Sequence, residues 1–179
     1  MNKKHDYYLA SGWFSEEQEK NYELTSSSLK QKFNIFEPRL DAGNLAEGPM
    51  TLERAKEIFK NDLIGIDSCK GIFADISFRD TGVLIEIGYA IKGKMIKEKY
   101  HKLKEDFKNN IITEDQFLEE KENLLENGVD EITLFDNSTR PKMNIMIASA
   151  ADNCIRNDIE LQDYVNGEKV FDLGSTELE

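Results

Sequence analysis

Short apolar runs alternate along this chain with longer stretches whose apolar residues recur every three or four positions, and that alternation restricts the fold more than any other feature. Residues 7–10 read as a first strand. Ser11-Gly12-Trp13-Phe14 turns away from it, and Ser15-Glu16-Glu17-Gln18 forms a capping-box pattern that opens a helix reaching about Lys32. Residues 34–36 give a second short strand, followed by Pro38 and a glycine-containing loop through Pro49 that is long enough to be functional. Residues 52–68 carry Ala55, Ile58, Phe59 and Ile66 at helical spacing, and residues 71–76 read as a buried strand. A helix from Val83 to about Lys97 follows the loop 77–82. Residues 131–135 resume the sheet, residues 143 to about 156 read as a helix rich in small and apolar side chains, and beyond Gln162 the main signal is Val170-Phe171.

Strands alternating with helices predict an α/β domain with a mainly parallel sheet flanked by helices, flavodoxin-like or Rossmann-like, whose ligands bind beyond the carboxyl ends of the strands. One stretch breaks the pattern. In residues 97–128 Lys and Glu dominate, and the apolar positions thin out to Leu103, Phe107, Ile111, Phe117, Leu124 and Leu125. Thr113-Glu114-Asp115-Gln116 supplies a second capping box, so residues 109–113 are the expected turn between two antiparallel helices. The expectation is a single domain over 1–179 with 97–128 as an inserted charged helical hairpin.

Composition narrows the function. Hydrophobic residues make up 39% of the 179 positions, enough to bury one core. A formal net charge of -12 argues against a nucleic-acid partner, because phosphate-backbone binding draws its affinity from Lys and Arg. Cys69 and Cys154 lie far apart and His5 and His101 are the only histidines, which argues against zinc and against a His-based triad. Oxygen ligands from several acids could suit a hard cation such as magnesium, but a calcium-loop pattern and a Gly-rich, Lys-containing phosphate loop are both lacking, so of the two open chemistries the expectation is an activity without metal or cofactor. No apolar segment resembles a signal peptide or a membrane span, which places the protein in the cytoplasm and away from membranes.

Against that background four acids stand out. Val83, Glu86, Ile87, Ala90 and Ile91 follow the spacing of a buried helical stripe, yet one of them is a carboxylic acid. Glu86 is either a functional desolvated acid or one placed by the helix dipole or paired with Arg79. Asp62 shares a face with Ile58, Phe59 and Ile66 and is either an inward acid or an exposed carboxylate at the margin of that stripe. Asp75 reads as a turn former at a strand end, and Asp80 serves equally as an N-cap for the Val83 helix. Tyr7, Tyr8, Trp13 and Phe14 cluster at the first strand and its turn, where they either pack the core or stack on a flat base.

These residues sit in motifs that resemble the nucleoside 2-deoxyribosyltransferases. Tyr8-Leu9-Ala10-Ser11-Gly12-Trp13-Phe14-Ser15 with Gln18 and Tyr22 is similar to the opening of that family. Asn61-Asp62-Leu63 with Gly65-Ile66, Asp80-Thr81-Gly82, Glu86-Ile87-Gly88-Tyr89-Ala90, Met143-Asn144-Ile145-Met146 and Asp152-Asn153 follow in the family's order. The resemblance spans most of the chain outside 97–128, where the family's shorter link is replaced. It implies that Glu86 is a nucleophile oriented by Tyr8, that Asp62 and Asp80 bind the base, with Asp80 or else Asp62 carrying its proton, and that Trp13 and Phe14 line the base site. It further implies deoxynucleosides and free nucleobases as substrates, with Asn144 reaching a sugar hydroxyl from a neighbouring subunit of a homo-oligomer. Two other functions compete: an N-glycosidase that lets water resolve the same ester, and a non-catalytic nucleoside-binding protein.

Overall fold

The computed structural model describes residues 3–42, 51–122, 124, 129–137, 142–143, 150–168 and 177–178. Five strands, β1 (His5–Ala10), β2 (Ile35–Phe36), β3 (Cys69–Asp75), β4 (Glu131–Phe135) and β6 (Asn153–Ile155), form a parallel sheet in the order β2-β1-β3-β4-β6. A separate two-residue pairing joins β5 (Lys142–Met143) to β7 (Glu177–Leu178). Helices α1 (Glu16–Leu29), α2 (Pro38–Asp41), α3 (Leu52–Asp67), α4 (Thr81–Lys108), α5 (Glu114–Glu122) and α6 (Asp158–Asn166) complete the described elements. The α/β expectation holds, and the strand order is that of a doubly wound sheet whose direction of winding switches between β1 and β3.

The period of two along each strand sorts the core into two layers. Tyr8 and Ala10 of β1, with Ile72 and Ala74 of β3, face Ile66 of α3 and Val83, Ile87 and Ala90 of α4. Tyr7, Leu9 and Phe73 face the other way, onto Tyr22 and Leu29 of α1 and Leu161 and Val165 of α6. Tyr7 therefore leaves the aromatic cluster expected from the sequence. Its hydroxyl donates to Glu131 at 2.8 Å and accepts from Tyr164 at 2.6 Å, on the face away from α3 and α4.

Three expectations change. The Val83 helix does not stop near Lys97 but continues to Lys108, so the hairpin is the far half of α4 folded against α5. Its turn falls where expected: Gln116 N–H bonds to Thr113 Oγ1 at 3.3 Å, Thr113 N–H bonds to the Gln116 side chain at 2.9 Å, and Phe107 stacks on Phe117 at 4.7 Å. The helix expected over residues 143–156 is not continuous, because Asn153–Ile155 pairs with β4 and buries Cys154 and Ile155. Finally, α6 begins at Asp158, between the end of the expected helix and the low-signal tail from Gln162, where the sequence predicts no element. Its Asn157 cap accepts from Glu160 N–H, its Leu161 and Val165 are buried, and Gly167 closes it at φ 85°.

Phe36 is the hinge between β2 and the site. Its ring stacks on Tyr8 at 5.6 Å and lies against Gly65, where an added Cβ would sit 2.6 Å from the ring. Gly65→Ala should therefore displace Phe36 and destabilise the protein by about 1–3 kcal/mol, as overpacking does. Denaturant unfolding checks this; unchanged stability would mean that Phe36 has room to move.

Candidate active site

The switch point of the sheet creates a crevice, because the chain leaves the carboxyl end of β1 toward α1 on one face and that of β3 toward α4 on the other. The turn after β1 is fixed by Gln18, whose side chain accepts from the N–H groups of Phe14 and Ser15 at 2.9 and 3.1 Å. Asp75 fixes the turn after β3, accepting from the Ser77 N–H at 3.0 Å and the Ser77 hydroxyl at 2.5 Å. Burial raises the Asp75 carboxyl while these bonds pull it back. Asp75 thus acts as the strand-end turn former and does not line the crevice.

Between these turns lies a cleft of about 310 Å³ that brings together Trp13, Phe14, Asp62, Asp80 and Glu86. Asp80 Oδ1 caps α4, accepting from Gly82 and Val83 N–H at 2.8 and 3.2 Å, so the N-cap reading holds for a residue that also borders the cleft. Because α4 starts at Thr81, Glu86 lies beyond its first turn, out of reach of the end-of-helix dipole effect. Its hydrogen bond comes instead from the fully buried Tyr8, O–H to Oε1 at 2.6 Å.

The electrostatics of the cleft favour a protonated Glu86. Burial pushes its carboxyl up to about 8, the Tyr8 bond opposes that rise, and the negative charges of Asp62 and Asp80 add to it. Burial alone lifts Asp62 to about 6. Its Oδ1 is buried with no hydrogen-bond partner among the described residues, which is not how a carboxylate at an exposed margin behaves. Burial also raises the Tyr8 phenol, with Glu86 and Asp62 adding to it, so Tyr8 stays a donor. Among the described residues no cluster of three His, Cys, Asp or Glu side chains is arranged to hold a metal.

Sequence reasoning missed the opposite wall. Pro38 of α2 and Ala55, Ile58 and Phe59 of α3 line the cleft beside Phe14. The apolar spacing of α3 was visible, but one periodic stripe serves two purposes: Ile66 is 1% exposed in the core, whereas Phe59 is 51% exposed at the cleft. Asn144 lies outside the described residues.

Fold and cleft together define a doubly wound α/β protein that gathers three carboxylates beside an aromatic wall at the switch point of its sheet. A sequence profile described as nucleoside 2-deoxyribosyltransferase matches residues 7–125. Among solved structures, the 2-deoxyribosyltransferase of Bacillus psychrosaccharolyticus is similar at 21% identity and a TM-score of 0.59, covering 97% of each chain; at that identity the likeness establishes the fold. A conserved protein from Enterococcus faecalis V583 aligns at 12% identity and a TM-score of 0.49 over 92% of this chain and 98% of its own. No curated protein sequence matches significantly. The chain belongs to the nucleoside 2-deoxyribosyltransferase family and is a pentosyltransferase, acting on nucleosides and nucleobases.

A carboxyl raised from 4.5 to about 8 holds its proton in the folded state at pH values where the unfolded chain has lost it. The neutral form's contribution to folding stability is therefore fully present below about pH 4.5 and is lost as pH rises through about 8. Each pH unit between those two values costs about 1.4 kcal/mol. Glu86→Gln, which keeps a neutral side chain of the same shape, should match the wild type at pH 4 and exceed it by several kcal/mol at pH 9. Denaturant unfolding at the two pH values gives the comparison; an equal difference at both would mean that Glu86 is well solvated.

Proposed function

We propose that this enzyme transfers 2-deoxyribose between nucleobases by double displacement through a deoxyribosyl ester on Glu86. The observation that carries the reading is the 2.6 Å bond from Tyr8 to Glu86 inside a cleft that also holds two further acids and an aromatic wall. A desolvated carboxylate aimed by a single donor is a suitable nucleophile for an anomeric carbon, where developing positive charge favours the ionised form that burial disfavours. In the first half-reaction a Glu86 oxygen bonds to C1′ as the C1′–N bond breaks, and the electron pair of that bond leaves with the base. The departing nitrogen takes a proton from a carboxylic acid. In the second half-reaction an incoming base returns its N–H proton to that acid, attacks C1′ and releases Glu86 as carboxylate.

Asp80 and Asp62 both border the reacting centre. Asp62 is the better proton carrier, since burial lifts it to about 6 and one of its oxygens has no partner among the described residues. Asp80, with Oδ1 engaged at the helix cap, is better suited to orient the base through its other oxygen. Trp13 and Phe14 supply the surface on which the base stacks. Neither metal nor cofactor enters this chemistry.

We read the chain as one domain that carries 97–128 as an inserted hairpin, and as cytoplasmic; among the described residues no helix is long and apolar enough to cross a membrane. Glu86→Ala should fold and lose transfer by several orders of magnitude. Chelator-dialysed wild type given a deoxynucleoside alone should gain the mass of one deoxyribosyl group on the peptide containing Glu86. Adding a second base should then yield new nucleoside. Free sugar in its place would make the enzyme a hydrolase, and near-normal turnover by Glu86→Ala would end the covalent mechanism.

The resemblance at residues 143–146 further supports a homo-oligomer in which Asn144 of one subunit serves the Glu86 of another. Glu86→Ala and Asn144→Ala chains should each be impaired, while mixed oligomers contain some sites with both residues intact. Co-expression with two tags and isolation of the mixed species should recover transfer. Mixed oligomers no more active than either parent would place Asn144 in its own chain's site or away from the sugar.

A further inference from the structure

Behind the aromatic wall of the cleft lies a buried carboxylate that the transfer chemistry does not use. Glu37, 3% exposed, follows β2 and is the N-cap residue of α2, so the residue after it, Pro38, enters the cleft lining. Its Oε1 accepts from the Tyr22 hydroxyl at 2.6 Å and from Ser26 at 2.7 Å, and its Oε2 pairs with Lys30. Burial alone would raise this carboxyl, but the bonds from Lys30, Tyr22 and Ser26 together hold it below the usual range, so it is a fixed anion. The backbone N–H of Glu37 donates to Asp41 at 2.7 Å, which locks the turn that carries it.

Tyr22 connects this anion to the cleft. Its ring meets the indole of Trp13 edge-on, with centroids 6.0 Å apart at 67°. Arg39, itself paired with Glu19, lies over the same ring at 5.4 Å. Tyr22 is thus held at its hydroxyl by Glu37 and at its face by Arg39, and Trp13 rests against what remains. A stacking surface contributes affinity only if its plane is set before the ligand arrives, since ordering it afterwards costs binding free energy.

We propose that Glu37 is a positioning residue for the base-binding wall, fixing the orientation of Trp13 through the Tyr22 hydroxyl. This inference rests on the reading that Trp13 faces the base. Glu37 does not touch the reacting atoms. Its effect falls on the binding of the base and not on the cleavage of the glycosidic bond.

Trp13 is the only tryptophan, so its emission reports this wall alone. The experiment measures quenching of Trp13 by adenine and by thymine, together with kcat and the KM for the entering base, in wild type, Tyr22→Phe, Glu37→Gln and the double variant. Each single variant should shift the emission to the red and raise the base KM about fivefold or more, the scale of one lost hydrogen bond, with kcat within about twofold. The double variant should be no worse than the worse single, because an amide at 37 weakens, and a phenyl ring at 22 removes, the same bond. Tyr22→Phe keeps the ring and decides the matter alone if Glu37→Gln does not fold.

Lowered stability with unchanged emission and unchanged KM would reduce Glu37 to a structural role and overturn the inference. Additive effects would overturn the route through Tyr22. Wild type whose Trp13 responds to neither base, under conditions where transfer is measured, would overturn the base-wall reading itself and this inference with it. Wild type that responds normally beside variants that do the same would sink only the positioning role.

Discussion

The site depends on drawing the half-buried Glu86 carboxyl toward the core while giving it one hydrogen bond. A carboxylate on the inner face of a helix is unstable unless something compensates, and here the compensation is a single phenol from β1, in the interior of the sheet. One bond does not outweigh the opposing effects: burial, Asp62 and Asp80 together still lift the carboxyl to about 8. The cleft is therefore loaded against the anion. A ligand that brings positive charge to the carboxylate relieves that load, and a ligand that does not gains nothing from it, so the same desolvation that weakens the fold favours one kind of chemistry.

The strands make this geometry compulsory. Neighbouring residues of β1 point to opposite faces, so Tyr8 meets α4 and Tyr7 cannot; the two tyrosines, alike in the sequence, end in separate networks. Gly65 and Phe36 then close the space behind Tyr8. Asp80 starts α4 at the register that turns Glu86 inward. Each of these is a local choice whose consequence appears only when β1, α3 and α4 meet.

This explains what the sequence disclosed. The first strand, both capping boxes, the hairpin turn and the inward acid were legible because each rests on contacts within a few residues. The apolar run at 71–76 likewise announced a buried strand, which pairing then places at the centre of the sheet. The strand at 153–155 was not legible, since three residues paired at a sheet edge leave no periodicity to separate them from the small apolar run before them. By contrast, α6 carried its signals openly in Asn157, Glu160 and Gly167, and its two buried positions were too few to form a visible stripe. The wall of α3 was half legible: spacing showed which residues share a face but not where the core ends and the cleft begins along it. Family motifs supplied roles for Glu86, Tyr8 and the acids, whereas the Glu37–Tyr22 linkage is a contact across 15 positions that no spacing rule reveals.

A division of labour between the two faces of the sheet follows. The α3 and α4 side supplies every acid of the cleft, held by packing against a dry core, while the turn after β1 presents the aromatic wall, braced from the other side by α1 and α2. The switch point is the one place where residues from both faces reach a common space. On the proposed reaction, acids that must be desolvated and a wall that must be flat make opposite demands on packing: the first need a core pressed closely around them, the second a surface left open to receive a ligand. Placing the two on different faces allows α4 to be buried as tightly as Glu86 requires without closing the surface beside Trp13. Phe14 at 76% exposure in the turn and Tyr8 fully buried on the strand before it give both kinds of packing within β1 and its turn.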